Sequence, residues 1–208
     1  MMIRISQPFF CILVVGMFSF FFTGCGTTQP RQFFILTSIE DVDIGTTASL
    51  HDVKDKRIGV GPVSFPKYLD RTAMILRRSD SEVVLNEEHR WAEPLENNFI
   101  QVLTRNLQTF LNNTHITSLP WRNNKAIDYQ VEIDVSRFDA DINGNVVLSA
   151  QWTIRRKKDN RDLYSQKSLF TEKAESNTPA AFVQKQSKLT AQLSQAIASK
   201  LGEIITSN

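Results

Sequence analysis

The sequence predicts an α+β fold: a mostly antiparallel sheet with two long amphipathic helices packed on it, after an N-terminal signal peptide. Three observations predict this class. Several stretches alternate apolar and polar residues, the pattern of a strand with one buried and one solvated face. Two longer stretches repeat apolar residues at helical spacing. The hairpin signal Asn143-Gly144 predicts that the later strands pair as an antiparallel meander.

The N-terminus has the layout of a secretory signal. Arg4 is followed by no acidic residue before Glu40, and the run from Phe9 to Phe22 is apolar apart from one glycine and one serine. This run is shorter than the roughly 20 apolar residues that a membrane-spanning helix needs. A basic start and a short apolar region are typical of a signal peptide, so residues 1–24 are predicted to be removed. The alternative is a buried core helix of the mature protein.

The stretch FTGCG resembles a bacterial lipobox, with Thr23 and Gly24 directly before Cys25. The resemblance implies cleavage after Gly24 and lipid attachment at the Cys25 thiol, although Phe22 stands where Leu is commoner. Two or three acyl chains hold a protein stably on a bilayer, whereas one holds it marginally. Gly26, rather than an aspartate, follows the cysteine. By analogy with enteric bacteria this favours the outer membrane, with the domain facing the periplasm.

Composition excludes several classes of function. Cys11 lies in the predicted signal and Cys25 would carry the lipid, so the mature chain keeps no thiol for a disulfide, a nucleophile or a metal site. The 24 basic and 22 acidic residues nearly cancel, which gives no electrostatic case for nucleic acid as a partner. We expect residues 25–32 to form a lipidated tether and residues 33–208 to form a single domain with a sizeable core.

The first half of the chain predicts four strands and a helix. The strands are FFILTS, RIGVGPVSFP, AMILRR and SEVVLNEEHRWAE, and the polar stretch from Asp41 to Lys56 is predicted to be a loop. Pro94 suits the first position of the helix, where Glu93 and Glu96 favour the positive end of the helix dipole. The helix is indicated by apolar residues on one face: Leu95, Phe99, Val102, Leu103, Leu107, Phe110 and Leu111.

The stretch HRWAEPLENNF raises the question of an active site. His89, Arg90 and Glu93 are residue types from which general acid and base chemistry is assembled. A packed strand-to-helix corner explains the same residues without chemistry, and we prefer that interpretation. The chain's other histidines, His51 and His115, do not form a metal-binding pair at helical spacing. We therefore predict no catalytic residue, metal site or cofactor, and keep a periplasmic enzyme as an alternative.

The second half predicts three strands and a second helix. The strands are IDYQVEIDVS, VVLSAQWTIRR and LYSQKSLF, joined by a type I′ turn at Asn143-Gly144 and by the polar turn KKDNRD. Thr178 and Pro179 predict the start of the helix. It carries Phe182, Leu189, Leu193, Ile197, Leu201 and Ile204 along one side for about 27 residues. Its polar face is not strongly basic, which favours packing on the sheet over a membrane-surface helix.

Two charged groups of side chains remain. The basic run RRKKDNR, residues 155–161, is predicted to be a solvated hairpin tip rather than a binding patch. The acidic residues lack the glycine and closing glutamate of a calcium loop, so we expect a solvated sheet face. These acidic residues are Asp128, Glu132, Asp134, Asp139 and Asp141.

Several stretches in order resemble one family, the auxiliary lipoproteins of ABC-type, MCE-dependent envelope transport known as the PqiC (YmbA) group. They are VGPVSFPKYLDR, HRWAEPLENNF with the following VLTRNL, LPW, DYQVEIDVSRFD and VVLSAQWTI. The family usually carries Tyr-x-Leu in its opening strand, where this chain has Phe34-Ile35-Leu36.

The resemblance implies a non-enzymatic role at the outer membrane. Such proteins act with an inner-membrane subunit and a periplasm-spanning MCE-domain protein, here a PqiB-like one, to move lipids between membranes and maintain envelope integrity. The family also suggests ring-like self-association. A lipoprotein that assembles or plugs an outer-membrane barrel is the first alternative, and it would copurify with a barrel rather than an MCE protein.

Overall fold

A computed structural model describes residues 30–40, 52–53, 55–120 and 127–207. The chain from Arg31 to Asn208 forms one compact unit. Cys25, the predicted signal peptide and most of the predicted tether lie outside the described residues, as do His51 and most of the predicted loop from Asp41 to Lys56.

Within the described residues there are eight strands, a short 3₁₀ helix at Lys67–Leu69 and two long helices. The strands are β1 (Gln32–Phe34), β2 (Ile58–Ser64), β3 (Ala73–Arg77), β4 (Val83–Trp91), β5 (Ile116–Ser118), β6 (Tyr129–Asp141), β7 (Asn145–Arg156) and β8 (Arg161–Lys173). The helices are α1 (Leu95–Leu111) and α2 (Pro179–Thr206).

The strands form one sheet centred on β6. One edge of β6 pairs with β7, which pairs with β8, and both pairings are antiparallel over nearly the full length of the strands. The other edge is shared by β2 and β3, both parallel to β6. The short β5 and β1 complete the two branches in parallel with β2 and β4, while β3 and β4 are antiparallel. The prediction of an α+β fold with a mostly antiparallel sheet is confirmed, since the long pairings are antiparallel.

Both helices pack on the same face of the sheet. The second helix, α2, lies on β6, β7 and β8, and α1 packs against α2, β2 and β5. The core joins the apolar faces of sheet and helices, and Trp152, Phe99 and Phe138 are its largest fully buried side chains. Burying a side chain of this size stabilises the fold by about 1.5–3 kcal/mol. None of the described helices is long and apolar enough to cross a membrane.

Two predicted details are wrong. Pro94 is the residue before α1 rather than its first helical residue, because its ψ of 126° is extended. The turn after β6 is a three-residue loop with positive φ, 82°, at Gly144 but not at Asn143, so it is not type I′. The Asp141 carboxylate accepts hydrogen bonds from the backbone N–H groups of Asn143 and Asn145 at 2.8 and 2.9 Å, which favours the longer loop.

Candidate functional site: the strap and the strand-to-helix corner

The predicted first strand, FFILTS, splits into two parts. Only β1 pairs with the sheet, and residues 35–40, which we call the strap, run across the two helices. The Leu36 N–H donates to Asn98 Oδ1 at 2.6 Å, and the Ile39 N–H donates to Asn106 Oδ1 at 3.0 Å, both on α1. The Thr37 N–H donates to Ser187 Oγ of α2 at 3.1 Å. The strap is therefore held by helix side chains in place of a neighbouring strand.

Buried polar side chains at the interface of the helices make this attachment. Asn106 is fully buried. Its Nδ2 donates to Ser194 Oγ of α2 at 3.4 Å, and its Oδ1 accepts from the Ile39 N–H of the strap. Asn98 and Ser187 are also buried. A buried polar group without a partner costs about 1–3 kcal/mol, so these side chains and the backbone N–H groups of the strap stabilise each other.

The strap also divides its apolar side chains between the core and solvent. Leu36 and Ile39 are 3% and 4% exposed and belong to the hydrophobic core, whereas Ile35 is 50% exposed, and Phe33 of the preceding β1 is 62% exposed. At the far end, Thr109 Oγ1 donates to the Glu40 carboxylate at 2.5 Å. The strap is thus hydrogen-bonded along its length, and two large apolar side chains, Phe33 of β1 and Ile35 of the strap, are exposed where β1 leads into it.

The HRWAEPLENNF stretch forms the corner where β4 leads into α1. His89 Nδ1 lies 2.8 Å from Asn86 Oδ1, and Arg90 Nη2 donates to Glu87 Oε2 at 2.6 Å. The Glu93 carboxylate accepts from Asn98 Nδ2 at 3.0 Å. Arg90 also donates to Thr72 Oγ1 at 3.4 Å, so the hydrogen bonds of the three candidate catalytic side chains go to different residues. The stretch therefore forms a hydrogen-bonded corner in which His89 is paired with the Asn86 side chain.

The corner and the strap meet at Asn98. Its amide donates to Glu93 and its carbonyl accepts from Leu36, so one side chain joins the end of β4 to the N-terminal segment. β1 adds a second link, because Phe34 pairs with Trp91 and its carbonyl accepts from the Ala92 N–H at 2.9 Å. The corner thus positions β1 and the start of the strap.

Sequence reasoning missed the strap residues. Asn98 and Asn106 are eight positions apart, which places them on one side of a helix beside its apolar stripe. That spacing was the available signal. It was not decisive, because polar residues next to an apolar stripe are more often solvated, and only packing against another segment shows that these are buried.

The prediction of a solvated acidic face is wrong for Asp139, which is 1% exposed. Its carboxylate accepts from Arg77 Nη2 at 2.7 Å, Arg137 Nε at 2.8 Å and Tyr68 Oη at 2.9 Å. These side chains cover the carboxylate on the sheet face opposite the helices. Arg137 and Asp139 are two positions apart on β6 and therefore share a face. The irregularity in the β6–β7 pairing between Val135 and Arg137 puts both on the face opposite Val135.

The Asp139 cluster shifts the ionisation of its neighbours. Burial, followed by the negative charge of Asp139, raises the pKa of Tyr68 from 10.0 to about 12. The hydrogen bond to Asp139 raises the pKa of Arg77 above its ordinary value. The cluster ties the 3₁₀ helix and β3 to β6.

Nowhere in residues 30–40, 52–53, 55–120 and 127–207 do three His, Cys, Asp or Glu side chains group as metal ligands.

The described chain is an α+β domain whose strap is hydrogen-bonded to both helices. The chain belongs to the family of ABC-type transport auxiliary lipoprotein components, whose profile matches residues 42–198. The predicted membership of the PqiC group is confirmed by this match and by the curated relatives of that name.

The relatives include the intermembrane transport lipoprotein PqiC of Escherichia coli, strain K12. It is 24% identical over 131 residues, which cover 63% of this chain and 67% of the relative. The PqiC of Shigella flexneri matches with the same values. Among solved structures, a protein of Xanthomonas campestris is similar with a TM-score of 0.69 at 15% identity, covering 85% of this chain and all of that one. A second crystal structure, of an uncharacterized protein, has a TM-score of 0.68 at 18% identity, covering 83% of this chain and 99% of that one. At such identities the structural likeness supports the fold alone.

Proposed function

We propose that this chain is an outer-membrane lipoprotein, anchored through Cys25 and facing the periplasm. It acts as a non-catalytic auxiliary component of an MCE/ABC-type system that transports lipids between membranes and maintains envelope integrity. The family and the names of the relatives support a transport auxiliary role. Lipid anchoring rests on the lipobox resemblance of FTGCG, and the outer-membrane location rests on Gly26 after the cysteine.

The family match carries the proposed transport role, and the strap supports a short anchor. Gln32, the first residue of β1, follows Cys25 by seven positions. An extended chain covers about 3.3–3.6 Å per residue, so the folded domain would lie within roughly 25 Å of the lipidated residue. Residues 35–40 are hydrogen-bonded to both helices, so a force applied at the lipid anchor would be transmitted to the folded domain.

A short, fastened anchor suits the physical problem of lipid transport between membranes. Exposing an acyl chain to water costs about 0.8 kcal/mol per methylene, so a lipid needs a shielded route. The far end of such a route must be held at the second membrane. We propose that this domain holds a periplasm-spanning, PqiB-like MCE-domain protein there. An inner-membrane subunit completes the system, and this chain self-associates as a ring around the tip of its partner.

The test is crosslinking in cells, followed by purification of the tagged full-length protein from mildly solubilised envelopes and mass spectrometry of its partners. Two cysteine variants form a matched pair, because Cys25→Ala removes the proposed lipid site while Cys11→Ala leaves it intact. Recovery of an MCE-domain protein that is weakened by Cys25→Ala, but not by Cys11→Ala, supports the proposal. Recovery of an outer-membrane barrel alone supports the barrel-assembly alternative, and recovery of no partner above background contradicts the transport assignment.

A further inference from the structure

A cleft of about 580 Å³ lies at the end of the sheet where β6 begins and β7 ends. This volume falls within the range of about 300–1,000 Å³ that is usual for small-molecule sites. Four cationic side chains, one carboxylate and two largely buried apolar or aromatic residues line it: Lys56, Arg156, Lys157, Lys158, Asp128, Ile127 and Tyr129.

Backbone hydrogen bonds bring the lysines together from distant parts of the chain. The Asp128 N–H donates to the Arg57 carbonyl at 2.8 Å, and the Lys157 N–H donates to the Asp128 carbonyl at 2.9 Å. Asp128 therefore joins the segment that carries Lys56, before β2, to the end of β7. The side chains of Lys56, Lys157 and Lys158 line one cleft because of this three-segment junction.

The positive charge of this cleft is only partly balanced by the protein. Arg156 is bound by Asp159 through Nε and Nη2 at 3.0 and 2.8 Å. The Asp128 carboxylate accepts a hydrogen bond from the Arg57 N–H at 2.9 Å. Among the ion pairs that the described part of the chain forms, none includes Lys56, Lys157 or Lys158. Like charges facing one cleft repel each other, and a bound anion removes that cost.

We propose that this cleft binds a phosphate group, as the free ion or as the headgroup of a lipid, through the ammonium groups of Lys56, Lys157 and Lys158. A phosphate has several acceptor oxygens and accepts charge-assisted hydrogen bonds from several lysines at once. Ile127 and Tyr129 also line the cleft, but they are largely buried and add only a small apolar surface beside the cations. The inference rests on the cleft alone and does not depend on the proposed transport function.

The residues of the basic run 155–161, which the sequence places at a solvated hairpin tip, lie on two different surfaces. Arg155 points to the open face of the sheet, where it binds Glu132 and Asp162 at 2.7 and 2.6 Å. Lys157 and Lys158 turn to the cleft and meet Lys56, which is distant in sequence. The run lies at the hairpin tip between β7 and β8, as the sequence predicts, and Lys158 is exposed there. The proposed site uses the lysines of this tip, whereas Arg155 is bound by carboxylates.

The test uses isotope-labelled full-length protein in an uncharged detergent, with the backbone signals of Asp128 and Tyr129, which line the cleft and are unchanged in every variant, as reporters. The probes are inorganic phosphate and dihexanoyl phosphatidylglycerol, and dihexanoylglycerol is the phosphate-free control. The cleft variant is K56Q/K157Q/K158Q. Its matched control is R71Q/R105Q/K167Q, which removes the same charge from exposed positions elsewhere.

We expect saturable shifts of the reporters that weaken as salt is added, because the charges lie at the surface. The cleft variant should bind at least roughly tenfold more weakly, since three charge-assisted contacts are lost together, whereas the control variant should bind like the original protein. If inorganic phosphate binds, with or without binding of the lipid probe, a phosphate group is sufficient for binding to the cleft. Binding of the lipid alone identifies a headgroup. The proposal is overturned if neither probe saturates, if dihexanoylglycerol binds equally well, or if the two triple variants weaken binding to the same extent.

Discussion

The side-chain carbonyl of Asn98 accepts a hydrogen bond from the Leu36 N–H at 2.6 Å, across 62 positions of sequence. The same side chain donates to Glu93 at 3.0 Å. Both contacts are part-buried or buried, so Asn98 satisfies polar groups that have little access to water. This one residue joins the strap to the corner that precedes α1.

Replacing Asn98 with alanine should lower the free energy of unfolding by about 1–3 kcal/mol, because the buried Leu36 N–H loses its acceptor. Asn97→Ala is the matched control, since Asn97 is the adjacent helix residue and is exposed. We expect that variant to stay within about 0.5 kcal/mol of the original protein. Urea unfolding of the full-length chain in detergent measures both. Equal stability losses in the two variants would show that the contact with the strap contributes nothing.

The strap should detach as a unit. Asn98 binds the strap at Leu36, and Asn106 binds it at Ile39. If losing one hydrogen bond already detaches the strap, the second hydrogen bond has little left to stabilise. The double variant N98A/N106A should therefore be less destabilised than the sum of the single variants, by about 0.5–3 kcal/mol. Unfolding of all three variants gives this difference. Simple additivity would mean that the two asparagines stabilise the fold independently.

Asp139→Asn should destabilise the protein by about 3–5 kcal/mol, the usual cost of breaking a buried ion pair by removing one partner. The substitution leaves Arg77 without its buried carboxylate. Asp134→Asn is the control on the same strand, because Asp134 is exposed and is bound by Ser64 Oγ at 2.8 Å. Thermal unfolding compares the two. A larger loss for Asp134→Asn than for Asp139→Asn would contradict the role assigned to the cluster.

The Tyr68 hydroxyl should make stability fall at alkaline pH. Its pKa in the folded chain is raised from 10.0 to about 12, so the folded state keeps the proton where the unfolded state loses it. The stabilisation is complete below about pH 10 and is lost as the pH rises through about 12. Chemical unfolding at a series of pH values measures the slope. Tyr68→Phe should reduce the fall between pH 10 and 12, and an unchanged slope in that variant would assign the effect to other groups.

Local patterns predicted much of the fold. Alternation of apolar residues indicated β6, β7 and β8, and because these strands follow one another their antiparallel pairing was also predictable. Thr178 accepts from the Ala181 N–H at 3.4 Å and Pro179 begins α2, as the sequence predicts. Such features depend on residues close together in the chain, which is why periodicity and capping residues report them.

The amino-acid sequence by itself determined the α+β class, the long antiparallel strands, the two helices and the family to which the chain belongs. Only the tertiary structure decided which distant segments meet. It made β2 and β3 parallel neighbours of β6, laid the strap on Asn98 and Asn106, buried Asp139, and brought Lys56 beside Lys157 and Lys158. The physical reason is that periodicity records whether one face of an element is apolar. The partner that covers that face, or that satisfies a polar group within it, is chosen by packing across the whole domain.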